Sequence, residues 1–272
     1  MTAPGHSSSF AGLARKRELW WQFTVRAIET RHRGSYLGIV WSGLTPLLML
    51  GLYGVVFGKF LRSRFNVLPN ETTADFVLAL FLGLTLFQVV AETLAVAPTV
   101  IVTSPNMVKK VVFPLEILPL SQLGAACFHF FISLCLLLLG IVFWGRGLTL
   151  AAVLWLPVIL TPLLLLSAGL CWICSALGVF FRDIAQATPF VTSVVIYASA
   201  VVYPVSRITP AIWTVLKWNP FLHTVNLTRD ALLWNVPINL TQLAYTYACG
   251  IGLCLLGRWL FLKLQPAFAD VI

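Results

Sequence analysis

Charge is scarce in this chain. Of 272 residues only 10% are Asp, Glu, Lys or Arg, while 59% are hydrophobic and the mean hydropathy is +0.92. A soluble domain carries roughly 25% charged residues, so too few remain here to coat a water-exposed surface. Several apolar spans of roughly 20 residues account for the length, and no soluble domain of ordinary size fits beside them.

Catalytic constellations are missing too. There is no HExxH, no close pair of intramembrane aspartates, no nucleophile elbow, and nothing like the P-loop GxxxxGK[ST]. The chain is therefore expected neither to be an enzyme nor to bind and hydrolyse ATP in that way. No clear acidic pair marks the midplane, as it does in proton- or sodium-coupled carriers; energy for uphill transport would come from another subunit. Cys171 and Cys174 form a CxxC, but no second CxxC or nearby His completes a metal or redox site. They and Cys127, Cys135, Cys249 and Cys254 all fall in apolar segments and read as reduced, packed thiols. No secretory signal is expected, and the Asn-x-Thr sequons at Asn70, Asn226 and Asn239 read as chance.

The charge that is present is concentrated. The net charge is +9, and six of the 18 Lys and Arg lie within residues 15–33. Scattering of the rest near helix ends favours a membrane-orientation role over nucleic-acid binding. On a helical wheel Arg15, Glu18, Gln22, Arg26, Glu29 and Arg33 form one row, with Leu13, Trp20, Phe23 and Ala27 opposite. Such a helix lies along a membrane surface, its aromatic side in the headgroup layer. Residues 1–34 are thus expected to be a cytoplasmic segment with an amphipathic interface helix, and 35–272 a transmembrane domain.

The fold class expected is all-α, with six transmembrane helices at about 37–60, 75–97, 116–143, 151–178, 187–205 and 240–263. Pro157 and Pro162 interrupt the fourth, where neighbouring helices can take up the lost hydrogen bonds. Both termini then share one side, and the basic first helix puts them in the cytoplasm. On that arrangement 11 Lys and Arg lie inside and seven outside, Arg229 among the latter.

Two connections are informative. Between spans two and three, Pro105, Pro114 and Pro119 bracket room for two helical turns bearing Lys109 and Lys110. This is either a lever for a cytoplasmic partner or an ordinary positive-inside loop. The connection 206–239 is too apolar for a solvated loop, with Ile212, Trp213, Trp218, Phe221 and Leu222 around Asn219-Pro220. Short re-entrant helices fit, since bare loop backbone is not tolerated in lipid; a pair of interfacial helices is the alternative.

Ionisable residues within spans are few. Glu92 and Glu116 lie near enough to the interface to pair with Lys109, Lys110 or the N-terminal helix, and His129 sits among Phe128, Phe130 and Phe131 as a helix-contact residue. Among the abundant aromatics, Tyr53, Phe57, Phe81, Phe87, Tyr197 and Tyr203 are candidates to line a pore. Packing or lipid contact is the competing role for each.

Several segments together resemble a known family. RHRGSYLGIVWSGLTPLLML (31–50), AETL (91–94), NMVKKVVFPLEILPL (106–120), LGVFFRD (177–183), WNPF (218–221) and LTRDALL (227–233) look like the permease subunit of ABC-2-type polysaccharide exporters. Among these they are most similar to O-antigen exporters, with teichoic acid and capsule exporters as alternatives. The resemblance implies a homodimer with a channel between subunits, in a bacterial inner membrane. Two copies of a separate ATP-binding subunit would supply ATP and magnesium, with no cofactor or metal in this chain. The implied substrate is a glycan on undecaprenyl diphosphate.

Site roles follow from the same resemblance. Arg26, Arg31 and Arg33 would attract the diphosphate headgroup. Pro105, Asn106, Lys109, Lys110, Pro114 and Glu116 would couple to the ATPase. Trp213, Trp218, Asn219, Pro220 and Phe221 would close the periplasmic exit. An ATPase-independent carrier or channel remains the remote alternative.

Overall fold

The computed structural model describes residues 7–60, 64, 65, 67, 70–109 and 113–272, with only the main chain of 7–14 and 58–60. Among the described residues every regular element is helical. They run α1 (Ser7–His32), α2 (Trp41–Tyr53), α3 (Thr73–Val100), α4 (Pro105–Lys109), α5 (Ile117–Trp144) and α6 (Leu150–Phe180), then α7 (Asp183–Ala198), α8 (Pro210–Leu216), α9 (Pro220–Arg229), α10 (Leu240–Leu264) and α11 (Phe268–Val271).

Five helical segments among the described residues are long and apolar enough to cross a membrane: Gly38–Phe57, Thr73–Val100, Ile117–Trp144, Leu150–Phe180 and Leu240–Val271. The third helix of the chain, α3, is apolar all round and sits at the centre, packed by α5, α6, α7 and α9. It starts from a capping box in which the Asp75 N–H donates to Thr72 Oγ1 and the Thr72 N–H to Asp75 Oδ2. In contrast, α2 exposes Leu47, Leu48, Met49 and Leu52, a surface suited to hydrocarbon.

Where a fifth span was expected at 187–205, the helix instead occupies Asp183–Ala198. Its 16 residues give about 24 Å of helix, short of the hydrocarbon thickness of about 30 Å. The stop has a cause. Asn219 Nδ2 donates to the carbonyl of Ala198 and to Ser199 Oγ, and Ala200 adopts a left-handed φ of 50°. Side chains, rather than a further turn, take up these groups. The following connection forms α8 and α9, each with proline at its first position. Asn219 Oδ1 caps α9 by accepting from the N–H groups of Phe221 and Leu222.

The long α6 continues through Pro157 and Pro162. Pro162 has no N–H to offer the carbonyl of Val158, four residues back. The hydroxyl of Tyr247, on α10, donates to that oxygen at 2.8 Å. The sequon residue Asn239 also has a structural task, capping α10 through the N–H groups of Thr241 and Gln242.

Candidate functional site

The apolar side of α1 is seated on α5. Trp20 Nε1 donates to the Leu120 carbonyl at 3.0 Å, Thr24 is buried, and Phe23 meets Phe113 at a tilt of 58° with 5.1 Å between centroids. Gly124 makes this approach feasible, because a Cβ there would lie 2.6 Å from Thr24 Oγ1. Trp20 and Phe23, expected in the headgroup layer, thus contact protein. An indole N–H buried against a helix finds a carbonyl there that lipid tails do not offer. Leu13, on the same expected face, has no described side chain.

At the C-terminal end of α1 a polar cluster crosses three helices. Arg31 Nη1 meets Glu92 Oε2 at 2.6 Å and lies 3.2 Å from His129 Nδ1, which is itself 3.0 Å from the same carboxylate oxygen. Gln88 Nε2 donates to Glu92 Oε1 at 2.7 Å. His129 is buried and its Nε2 has no partner among the described residues. Beside it, His32 shares a 2.9 Å hydrogen bond with Ser42 Oγ on α2. Desolvation, then His129 and the Arg31 charge, hold the His32 imidazole below its ordinary pKa. Glu92 therefore pairs with the N-terminal helix, one of the partners foreseen for it, and His129 is more than a packing residue.

A cleft opens directly in front of this cluster. It encloses about 670 Å³ between α1, α3, α4 and α5. Arg26 and Arg31 stand on one wall, Pro105 and Asn106 on another, with Glu92 and Gln122 between. Residues expected to attract an anionic headgroup and residues expected to meet an ATPase are thus brought to one cavity. Arg33 lies outside it, lining an adjoining depression with Arg26. Neither Arg26 nor Arg33 has an ion-pair partner among the described residues.

Glu116 sits where the segment after α4 enters α5, and it joins three further elements. Its carboxylate takes Lys16 Nζ of α1 at 2.8 Å and Arg258 Nε of α10 at 3.3 Å. Its backbone carbonyl accepts from Trp172 Nε1 of α6 at 3.2 Å. Burial raises the Glu116 pKa, but the Lys16 hydrogen bond and charge and the Arg258 charge outweigh it, so the net shift is downward. Pro105, Asn106 and Lys109 are exposed on α4, Pro114 is half-buried, and Lys110 falls outside the described residues.

The segments that build the cleft fall within a stretch of sequence that matches a known family. The family model described as ABC-2 type transporter aligns with residues 18–233, from α1 through the turn that follows α9. The chain belongs to the ABC-2 type transporter family. Among its curated relatives is the O-antigen export system permease protein RfbA of Klebsiella pneumoniae, 26% identical over 249 residues, covering 92% of this chain and 93% of the relative. The protein of the same description from Myxococcus xanthus is 29% identical over 183 residues, 67% of each chain. The polysialic acid transport protein KpsM of Escherichia coli is 24% identical over 216 residues, 77% of this chain and 79% of the relative.

In this ABC-2 type chain the aromatic candidates are dispersed. Tyr53 and Phe57 adjoin at 6.1 Å on α2 and its continuation, Phe87 is half-buried, and Phe81 is packed inside the chain. Tyr197 is exposed, and the hydroxyl of Tyr203 donates to its carbonyl. Trp213 is partly exposed and Trp218 is exposed, while Pro220 is half-buried and Phe221 buried. The Trp218 carbonyl accepts from Tyr245 Oη of α10 at 2.7 Å.

Sequence reasoning missed Arg229. Counted as an external loop charge, it is only 2% exposed. Its Nε donates to the carbonyl of Ala79 at 3.1 Å, Nη1 to Ala200 at 2.8 Å and Nη2 to Val201 at 2.5 Å, and its guanidinium lies 4.6 Å from the Phe65 ring centroid. It clamps the end of α9 to α3 and to the chain just beyond α7, where helix-terminal carbonyls favour a cation. The signal was available: a charged residue inside the apolar run LTRDALL demands partners at membrane depth. Lys16 belongs to the N-terminal helix that was one of the partners foreseen for Glu116, whereas Arg258 was not foreseen as its partner.

Proposed function

We propose that this chain is the permease subunit of an ATP-driven exporter of polysaccharide linked to undecaprenyl diphosphate, with O-antigen as the polymer. Two copies form the channel, and two ATP-binding subunits act on the cytoplasmic side, where both termini lie. The cleft carries the reading: cationic Arg26 and Arg31 share one cavity with Pro105 and Asn106 of the short helix α4. Near-complete coverage of an O-antigen permease supports the choice of polymer.

On this reading Arg26, Arg31 and Arg33 raise the local concentration of a diphosphate lipid by electrostatic attraction, with no bond made or broken. Nucleotide-driven movement of the partner pushes α4, and the Glu116 junction conveys the push to α1 and α10. The inner-membrane span count is six, with α7 completed in depth by α8 and α9 as re-entrant gate helices. Exposed aromatics give the sugar chain apolar faces on which to slide, and Trp213, Trp218 and Phe221 close the exit.

Deletion of the gene, followed by immunoblotting and surface labelling of the polymer, tests the assignment. Loss of surface polymer with lipid-linked polymer retained inside is the expected result. Normal surface polymer in a strain without a second exporter would sink it. The match to a polysialic acid transport protein supports capsular polysaccharide as the second choice of cargo, and the stranded glycan distinguishes the two.

A further inference from the structure

Glu92 occupies the guanidinium that faces the cleft. We propose that this carboxylate is a built-in competitor: it holds Arg31 in reserve, and a diphosphate entering the cleft takes Arg31 away from it. The inference rests on the exporter reading above and specifies how its headgroup site is kept closed.

The two partners are unequal in freedom. The Arg31 side chain is 50% exposed, whereas that of Glu92 is 11% exposed. The guanidinium can swing into the cleft; the carboxylate stays. An exposed arginine is also weakly held, because solvent screens the pair and the long side chain loses rotamer freedom in it. The obstacle to exchange is the buried carboxylate left behind, since stranding a buried charge is costly.

Glu92 is provided against that. Gln88 Nε2 already donates to one oxygen, and His129 Nδ1 lies 3.0 Å from the other. Nδ1 faces both Arg31 and Glu92, so its role depends on the tautomer. With Nδ1 bare it accepts from Arg31; with Nδ1 protonated it donates to Glu92. His129 Nε2 is buried without a partner among the described residues, so no hydrogen bond on that side selects one tautomer. The ring accepts from Arg31 in the closed arrangement; in the open one Nδ1 takes a proton from solvent in the cleft, Nε2 keeping its own, and donates to Glu92. The other charged or titratable groups facing this cluster are His32 on α1 and Cys127 on α5.

What enters must be strongly anionic. A diphosphate offers several oxygens to Arg31 and to Arg26 on the same wall, which has no ion-pair partner among the described residues, and outbids a single carboxylate. Once seated it touches Asn106 and its neighbours on α4, since they line the same cavity. Occupancy is thereby reported to the segment assigned to the ATPase contact.

The test uses the chain with its ATP-binding partner in lipid nanodiscs, and farnesyl diphosphate as probe. Glu92→Gln removes a like charge from the cavity and should tighten probe binding roughly tenfold. Arg31→Gln should weaken it by at least as much. Equal or weaker binding by a monodisperse Glu92→Gln complex overturns the proposal. Inorganic pyrophosphate binding as tightly as the probe would reassign the site to a soluble diphosphate and overturn the lipid part.

Hydrogen exchange on the unaltered complex needs no variant to fold: the probe should protect amides at 103–107, and no change there overturns the location. These failures leave surface polymer in the wild type intact. Failure of the exporter reading itself would appear as normal surface polymer in the deletion strain.

Discussion

Gly257 and Gly169 meet backbone to backbone: a Cβ on Gly257 would stand 2.4 Å from the Gly169 carbonyl oxygen. A like contact recurs about two turns along each helix, where Gly250 faces the Pro162 carbonyl. In a bilayer, where no hydrophobic effect drives helices together, such close approach supplies the packing that holds α6 to α10.

Gly257→Ala is therefore expected to destabilise the protein by about 1–3 kcal/mol, the usual cost of overpacking. Gly252, on the same helix, has nothing within 4 Å of its Cβ position, and Gly252→Ala should be neutral. Thermal unfolding of both variants in the same detergent checks the contrast; equal melting points would refute the packing argument.

Arg229→Met should be the more damaging change. It leaves the carbonyls of Ala79, Ala200 and Val201 without this donor, at about 1–3 kcal/mol for each buried group left unsatisfied. Arg229→Lys cannot restore the three-way fork. Both variants should lose protection from hydrogen exchange around 198–204 before the rest of the chain does. Uniform loss throughout would mean that the clamp is not local.

The Glu116 junction carries a pH dependence with a definite sign. The folded-state pKa lies below the ordinary 4.5, so the carboxylate stabilises the fold fully above that value. The contribution disappears as pH falls through the depressed folded value. Lys16 and Arg258 are each about half exposed, which limits each pair to about 1 kcal/mol or less. Hydrogen exchange of residues 15–24 should accelerate below pH 4.5 in the wild type and be insensitive to pH there, after correction for intrinsic rates, in Glu116→Gln. The same acid response in both would remove Glu116 from the account.

Lys109 is exposed at the end of α4 with no ion pair among the described residues. Lys109→Glu should leave thermal stability within about 0.5 kcal/mol, as surface changes usually do. Surface polymer should fall several-fold while the partner's ATP hydrolysis persists. Unchanged export would take Lys109 out of the coupling role.

Apolar run length made the long helices legible, and proline placement made α4, α8 and α9 legible as short pieces. Glu92 and Glu116 stood out because charge at membrane depth needs a partner, and the basic first helix was the nearest supply. Other features lie outside the reach of a linear pattern. Nothing local marks that Tyr247 answers Pro162 from 85 positions away, or that Asn219 ends one helix while starting another. The aromatic face of α1 had two physically adequate destinations, headgroups or α5, and only the three-dimensional approach of Thr24 to Gly124 decides between them. Span five was misjudged in extent because the apolar run continues beyond Ala198, while hydrogen bonds from Asn219 and Arg229 stop the helix.

That early stop bears on how the protein meets its bilayer. An isolated apolar helix settles a length mismatch by tilting or by deforming the lipid around it. Here the backbone beyond α7 is satisfied by Asn219 and Arg229, and the remaining depth is filled by the protein's own short helices. This sector has thus been relieved of matching any one hydrocarbon thickness. Thinner or thicker membranes strain the long helices α3, α5, α6 and α10 first and leave the sector around Arg229 to follow α3, to which it is tied.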